Sequence, residues 1–260
     1  MLNTITPLIL TFNEEANIRR TLDALNWASQ VVVIDSLSTD ATKTICAEYS
    51  KVRFIQREFD QHAAQWNFGL TQLDEHGWTL ALDADHIVSA EFVAEVQRYF
   101  SSATGVPSEV CGFRNEFIYC QDGKPLKGSL YPPLTALYRT SHGHYIQEGH
   151  TQRLQLSGNI VALKSRNYHD DRKPISRWLK AQQKYANLDA AKLSQQPFSQ
   201  LRWTDRARLV PFLSPLLVLI YTLFIKGLAL GGSAGLKYSL QRVYAECLLH
   251  RARVRRWFYG

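Results

Sequence analysis

Within the first 85 residues of this 260-residue chain, four short apolar runs alternate with stretches of helical spacing, and that alternation leaves few folds open. Thr4 to Leu10, Val31 to Ile34, Val52 to Gln56 and Trp78 to Leu82 are too short for independent helices and read as buried strands. After the first, Asn13 is a good N-cap for a segment opening on Glu14 and Glu15, in which Ile18, Leu22 and Leu25 recur at helical spacing. After the second, the polar turn Ser36 to Asp40 has helix-start chemistry and predicts a helix through about Ser50, and residues 61–73 are helix-compatible after the third. Strands and helices in this rhythm argue for βαβ units and an α/β fold with a largely parallel sheet.

The ends of these strands carry the chemistry. The first, second and fourth deliver Asn13, Asp35, and then Asp83 and Asp85 at their carboxyl ends, where open α/β sheets bind ligands. Two carboxylates one residue apart repel each other unless a positive group lies beside them, and a divalent cation carrying phosphate oxygens serves that purpose. A lone D-x-D is more simply a helix cap beside a solvated acid. Convergence of three strand ends favours a cleft instead. No G-x-G-x-x-G follows the first strand and no G-x-x-x-x-G-K-[ST] occurs, so phosphates here have to be held by a metal.

Further along, Phe92, Val93, Val96 and Phe100 lie on one face of a helix expected over residues 89–100. Residues 110–120 read as a strand entering a Gly-containing hairpin turn at Gln121 to Lys124, with further strands at about 134–139 and 152–163. Between those two lies a loop holding His142, His144, Glu148, His150 and Arg153. The histidine spacing fits no zinc template, whereas Glu148 is a carboxylate that such a loop can offer as a general base. Another strand ends at Tyr168-His169-Asp170-Asp171, where His169 reads equally as a third metal ligand or as a satisfied strand-end histidine.

Charge divides the chain. Residues 1–163 hold 12 Lys/Arg against 18 Asp/Glu, and residues 164–260 hold 18 against 5, so the C-terminal third is expected to meet an anionic partner, a membrane surface or nucleic acid. A helix over 174–193 carries Arg177, Lys180, Lys184 and Lys192 among Trp178, Leu179 and Tyr185. The uncharged run Leu209 to Ile225 contains Pro211 and Pro215 and falls short of the ~20 apolar residues a spanning helix needs. Buried helix, spanning segment and interfacial wedge all remain open. The flanking Arg202, Arg206, Arg208, Arg251, Arg253, Arg255 and Arg256, with Trp203 and Trp257, favour the wedge, and apolar bulk has no use against a nucleic-acid backbone. Cys46, Cys111, Cys120 and Cys247 show no C-x-x-C spacing and no signal peptide is read ahead of them, so free thiols in a reducing cytosol are expected. The organisation expected is a catalytic domain over 1–172 and a basic, apolar helical region over 173–260.

Taken together, TFNEEANI (11–18), VVVIDSLSTDAT (31–42), QWNFGL (65–70), LALDADHIV (80–88), QEGHTQRL (147–154) and NYHDD (167–171) resemble the family 2 glycosyltransferases of GT-A fold. More narrowly, the chain resembles a small bacterial branch acting on lipopolysaccharide core and lipid-linked glycans, in which many members carry D-A-D-E where this chain has His86. The resemblance implies a Rossmann-like, mixed but mostly parallel sheet flanked by helices, and inverting transfer from a UDP-, GDP- or dTDP-sugar. It places Thr11, Asn13 and Glu14 in the nucleotide pocket, Asp35 against the base, Asn67 near the nucleotide and Asp83 with Ala84 at the ribose. It makes Asp85 and His169 ligands of Mg²⁺ or Mn²⁺, and Glu148 the base that deprotonates the acceptor hydroxyl. The implied partners are a lipid-linked or lipopolysaccharide acceptor and an anionic membrane at the cytoplasmic face, with peripheral or monotopic attachment, no nucleic acid, and self-association possible through the apolar tail. A polyprenyl phosphate acceptor, or a basic binding module without catalysis, are the alternatives.

Overall fold

The four expected strands form as β1 (Ile5–Thr11), β2 (Val31–Asp35), β3 (Val52–Gln56) and β4 (Trp78–Asp83), separated by α1 (Ile18–Asp23), α2 (Thr42–Ala47) and α3 (His62–Leu70). Next come β5 (His86–Ile87), α4 (Ala90–Phe100), β6 (Val110–Gln121), β7 (Lys124–Pro125), β8 (Leu134–Arg139), β9 (Gly143–Glu148), β10 (Thr151–Leu156) and β11 (Asn159–His169). The helices α5 (Ile175–Gln195), α6 (Trp203–Ala207), α7 (Leu213–Ile220) and α8 (Gly232–Tyr259) complete the chain. This computed structural model describes residues 2–148, 151–210 and 212–259, without the side chains of Glu148, Thr151 and residues 257–259.

Two compact units emerge, the first from residues 1–120 and 131–172, the second from 121–130 and 173–260. In the first, the sheet runs β3-β2-β1-β4-β8-β6-β11-β5. β1 to β4 are mutually parallel, β8 is antiparallel to β4 and β6, and β6 is parallel to β11. This mixed, mostly parallel sheet flanked by helices is the GT-A arrangement. The order 3-2-1-4 reverses direction at β1, which leaves a crevice between the carboxyl ends of β1 and β4. Pro7 is tolerated in so central a strand because β1 begins to pair with β2 only at Leu8.

Both faces of the parallel strands are covered, so their sequences are continuously apolar rather than alternating. Ile5 and Ile9 of β1 pack with Ile18 and Leu22 of α1 and Phe92 and Val96 of α4 on one face. Leu8, Val32 and Ile34 pack with Ala63 and Trp66 of α3 and Tyr145 of β9 on the other. Each such fully buried side chain contributes on the order of 2 kcal/mol through water-excluded apolar area.

Several local expectations change. The expected ionisable loop before residue 152 is instead β9, paired antiparallel with β10 from Gly143↔Leu156 to Glu148↔Thr151. The single strand expected over 152–163 is two, because Gly158 at φ +129° turns the chain between β10 and β11. The helix expected to run to Ser50 stops at Ala47. Asn13 does not cap α1, which starts four residues later behind Asn17; Asn13 is itself left-handed at φ 54°.

The second unit is helical. Ala186, Ala190 and Leu193 of α5 pack on Leu248, Leu249 and Ala252 of α8, with Leu201 closing the cluster. Arg208 pairs with Glu246 at 2.7 Å, and the Arg242 guanidinium lies over the Trp178 and Tyr238 rings at 5.5 and 5.3 Å. The apolar run after Leu209 forms α7 and a following π-helical turn, Tyr221–Ile225; Pro211 lies outside the described residues. Among the described residues no helix is long and apolar enough to cross a membrane. Cys46, Cys111, Cys120 and Cys247 are all free thiols.

Candidate active site

The turn leaving β2 is closed on itself. Asp35 is fully buried and accepts four hydrogen bonds: Thr11 Oγ1 at 2.8 Å, Ser38 N at 2.8 Å, Ser38 Oγ at 2.5 Å and Gln56 Nε2 at 3.2 Å. A carboxylate offers about four acceptor sites, so this one is saturated by the protein. Asn13 N donates to Ser38 Oγ at 2.7 Å, and Asn13 Oδ1 accepts from Thr39 N at 2.7 Å. Glu14 N donates to Thr42 Oγ1 at 2.7 Å. Asn13 and Leu37, both at positive φ (54° and 61°), are held in that sparsely populated region by these bonds.

The turn leaving β4 is pinned by its backbone instead. Thr21 Oγ1 donates to Ala84 O at 2.7 Å, Asp170 N to Asp85 O at 2.9 Å, and Asp83 N to His86 Nδ1 at 3.1 Å. That leaves the Asp83 carboxylate 51% exposed at the crevice and brings Asp85 Oδ2 to 3.2 Å from His169 Nε2. Tyr119 and Tyr131 flank the His169 ring at 4.7 and 4.5 Å between centroids. Burial by itself would lower the His169 pKa, but Asp85, by charge and hydrogen bond, together with Asp83 and Asp171, outweighs it and raises the imidazolium above its ordinary value.

Asp85, His86 and His169 offer ligand atoms within 4.8 Å of one another. Two of the three suit a cation. The 3.2 Å between Asp85 Oδ2 and His169 Nε2 matches the roughly 3 Å between adjacent ligands of an octahedral ion with ~2.1 Å bonds, and Mg²⁺ or Mn²⁺ completes its shell with water and phosphate oxygens. His169 Nδ1 is buried with no hydrogen bond among the described residues, so Asp85 and the two tyrosine rings orient this imidazole. His86 does not suit. Its Nδ1 accepts the Asp83 amide, so its proton sits on Nε2, which faces Tyr131 Oη at 2.9 Å and cannot ligate. Burial first, and His169 further, push its pKa down against the pull of Asp83 and Asp85, which keeps the ring neutral. This buried histidine therefore braces the acid turn.

A network that sequence reasoning missed fixes the last strand to this edge. Asn17, nearly fully buried, donates to Glu14 Oε2 and Asp171 Oδ1, both at 2.9 Å, and its Oδ1 accepts from Arg172 N and Arg20 Nη2, both at 2.8 Å. Arg20 and Arg172 pair with Asp170 at 2.7 and 2.8 Å. In the sequence, Asn17 looks like an ordinary helix-start residue and Tyr131 like part of a proline-rich connection; their partners lie up to 155 residues away.

The Asn67 side chain, expected near the nucleotide, bonds the backbone of β9. Its Nδ2 donates to Tyr145 O at 2.8 Å and its Oδ1 accepts from Tyr145 N at 2.9 Å, so its amide tethers β9 to α3. Gln147 Oε1 accepts from Ala63 N at 3.1 Å, which brings the far end of β9 to the first turn of α3 at the carboxyl edge of the sheet. Glu148 ends β9; its side chain, like all of His150, lies outside the described residues. Thr11, Asp35, Asp83, Ala84, Asp85 and His169 are thus gathered at one edge, with Asn13 and Glu14 on the turn above them.

Residues 8–125 match the model of glycosyl transferase family 2. An uncharacterized glycosyltransferase of Rickettsia bellii is 30% identical over 135 residues, 52% of this chain and 45% of that relative, so the chain spans about half the length of a curated relative it matches. The lipopolysaccharide core biosynthesis glycosyltransferase LpsC of Rhizobium meliloti is 29% identical over 85 residues, 31% of each chain. Among solved structures, glucosyl-3-phosphoglycerate synthase from Mycobacterium tuberculosis, in complex with Mn²⁺, UDP and glucosyl-3-phosphoglycerate, is 20% identical over 45% of this chain and 44% of that one, with a TM-score of 0.35. The likeness to glycosyl transferase family 2 thus falls on residues 8–125, which hold most of β1, all of β2 to β4 and the acid turn.

Proposed function

We propose that this protein is a metal-dependent inverting glycosyltransferase that moves a sugar from a nucleotide-sugar donor to a lipid-linked or lipopolysaccharide-type acceptor. The observation that carries the reading is the pair Asp85–His169, with donor atoms 3.2 Å apart beside the exposed Asp83, at the crevice of a family 2 domain. Asp85 and His169 would hold Mg²⁺ or Mn²⁺, which neutralises the charge developing on a departing nucleoside diphosphate. Asp83, with Ala84 behind it, faces the ribose, while Thr11, Asn13 and Glu14 shape the nucleotide pocket. Asp35 acts at one remove by fixing the turn that borders the base. Glu148 takes the acceptor proton as the acceptor oxygen bonds to the anomeric carbon and the sugar–phosphate bond breaks on the opposite face.

The second unit supports attachment to an anionic membrane surface at the cytoplasmic face. Trp203, Phe212, Phe224, Ile225 and Leu230 are 69–82% exposed on a unit rich in Lys and Arg. Apolar side chains that enter the headgroup region beside basic ones bind such surfaces, at about 1 kcal/mol per cation. The full chain is expected to float with phosphatidylglycerol vesicles and not with phosphatidylcholine vesicles; recovery in the unbound fraction from both would refute the attachment.

Donor chemistry is tested by thermal stabilisation with UDP, GDP and dTDP, each with and without Mn²⁺. One of the three should raise Tm only when the metal is present, and no rise from any of them would remove the donor assignment. In the same assay Glu148→Gln should keep that stabilisation while sugar transfer falls by about 10³-fold. Transfer at the normal rate would take the base role away from Glu148.

A further inference from the structure

Tyr131 stands at the end of a short, stiff lead into the sheet. Pro132 and Pro133 follow it directly and β8 begins at Leu134, so the fixed φ of two prolines carries the position of the strand to this side chain. Its ring lies 4.5 Å from His169 and 6.0 Å from Phe117 between centroids, and its Oη is 2.9 Å from His86 Nε2. His86 is 1% exposed and its Nδ1 accepts the Asp83 amide, so the proton on Nε2 has to find an acceptor inside the protein. Two oxygens face that proton, Tyr131 Oη at 2.9 Å and Asp83 Oδ2 at 3.7 Å. Only the hydroxyl is within hydrogen-bond distance. The carboxylate stays outside it, half exposed at the crevice.

We propose that Tyr131 is a positioning residue whose hydroxyl, by accepting the His86 proton, keeps the Asp83 carboxylate turned toward the crevice and open to the hydroxyl groups of a ligand. That the ligand is the ribose of a nucleotide rests on the glycosyltransferase reading; the competition between the two oxygens does not. A buried N–H left without an acceptor costs more than the bond itself is worth, and a charged acceptor bonds more strongly than a neutral one. Without the hydroxyl, Asp83 Oδ2 has to move by less than about 1 Å to take the proton, and it gives up its outward orientation in doing so. The turn can accommodate the movement because Thr21 and Asp170 hold it through the Ala84 and Asp85 carbonyls, not through this side chain. Phenylalanine at 131 keeps the ring against His169 and Phe117 and removes only the acceptor.

The test compares the full chain carrying Tyr131→Phe with the unsubstituted protein, by crystallography and by calorimetric titration of UDP, GDP and dTDP at saturating Mn²⁺. In the variant Asp83 Oδ2 is expected within about 3.2 Å of His86 Nε2. Affinity for whichever nucleotide binds the unsubstituted protein should fall about ten-fold, as for the loss of one hydrogen bond to a charged group. Mn²⁺ affinity without nucleotide should hold, since the ring beside His169 remains. In an Asp83→Ala background, Tyr131→Phe should cost no further nucleotide affinity, whereas a purely structural loss would recur there. The His86 Nε2 proton, followed by ¹⁵N-edited NMR, supplies a signature that needs no change at 131: it should persist in Asp83→Ala, because Tyr131 is its acceptor. An unmoved Asp83 in Tyr131→Phe, equal losses in both backgrounds, or an Nε2 proton that disappears in Asp83→Ala overturns the proposal. An Asp83 that turns inward in Tyr131→Phe, in a protein that binds none of the three nucleotides, would keep the positioning role and remove the donor reading instead.

Discussion

At the end of β2, the Asp35 carboxylate is buried and filled by Thr11, Ser38 and Gln56; at the end of β4, Asp83 stands half exposed and Asp85 faces an imidazole. The two turns flank the same strand and both are acidic, yet only in the second does the backbone do the holding, through Thr21, Asp170 and His86. The difference separates two uses of a strand-end acid. Where side chains saturate the carboxylate, it maintains a loop conformation. Where backbone contacts maintain the loop, the carboxylates are not needed to hold it.

The contrast is broken most sharply at Asp85. Asp85→Asn is expected to lower metal-dependent transfer by about 10³-fold, near 4 kcal/mol of transition-state stabilisation, with a urea midpoint that falls less than in Asp35→Ala because the amide oxygen can still accept from His169 Nε2. Steady-state rates at saturating Mn²⁺ and a urea melt on the same preparation measure both. A variant that turned over normally would show that Asp85 is not part of the metal site.

Asp35→Ala should do the reverse. Removing a buried acceptor strands the Ser38 amide and the Thr11 hydroxyl, and hydrogen bonds to a charged group are each worth about 1.5–3 kcal/mol, so a loss of about 3 kcal/mol in unfolding free energy is expected. Urea denaturation reads it directly. A loss under about 1 kcal/mol would mean that the β2 turn does not depend on this carboxylate, and the distinction between the two turns would lapse.

The same distinction explains what could be read from the residues alone. Strand positions, the parallel sheet and the meeting of Asp35, Asp83 and Asp85 follow from apolar runs that end on acids, a pattern local to each run. What each acid does afterwards depends on partners far away in the chain: Asp170 behind Asp85, Tyr131 behind His86, Gln56 behind Asp35. His86 illustrates the limit. Nothing in the sequence around it says what this imidazole does, and only the Asp83 amide on its Nδ1 shows that its other nitrogen is protonated. The β9 half of the hairpin is illegible for another reason: Gly143 to Glu148 lacks the apolar alternation of a strand, and it is held by Asn67 and Gln147, which no local pattern connects to it.

The smallest expected effect concerns protons at the open turn. Asp85 and its acidic neighbours raise the His169 pKa, so in the metal-free protein this imidazole holds its proton to higher pH than an ordinary histidine. The sign follows from linkage. The proton-bound form contributes stability that is fully present below the unfolded value of about 6.5 and is lost as pH rises through the raised value, and a cation that needs the neutral ring must displace that proton. Mn²⁺ affinity should therefore climb by up to about ten-fold per pH unit up to and beyond the ordinary histidine value of about 6.5, and level off once pH passes the raised value and His169 is neutral. Electron paramagnetic resonance titrations of free Mn²⁺ at several pH values measure this, and His169→Gln should flatten the slope while weakening binding throughout. An affinity independent of pH in the unsubstituted protein would remove His169 from the ligand set and leave Asp85 to bind the ion with water and phosphate alone.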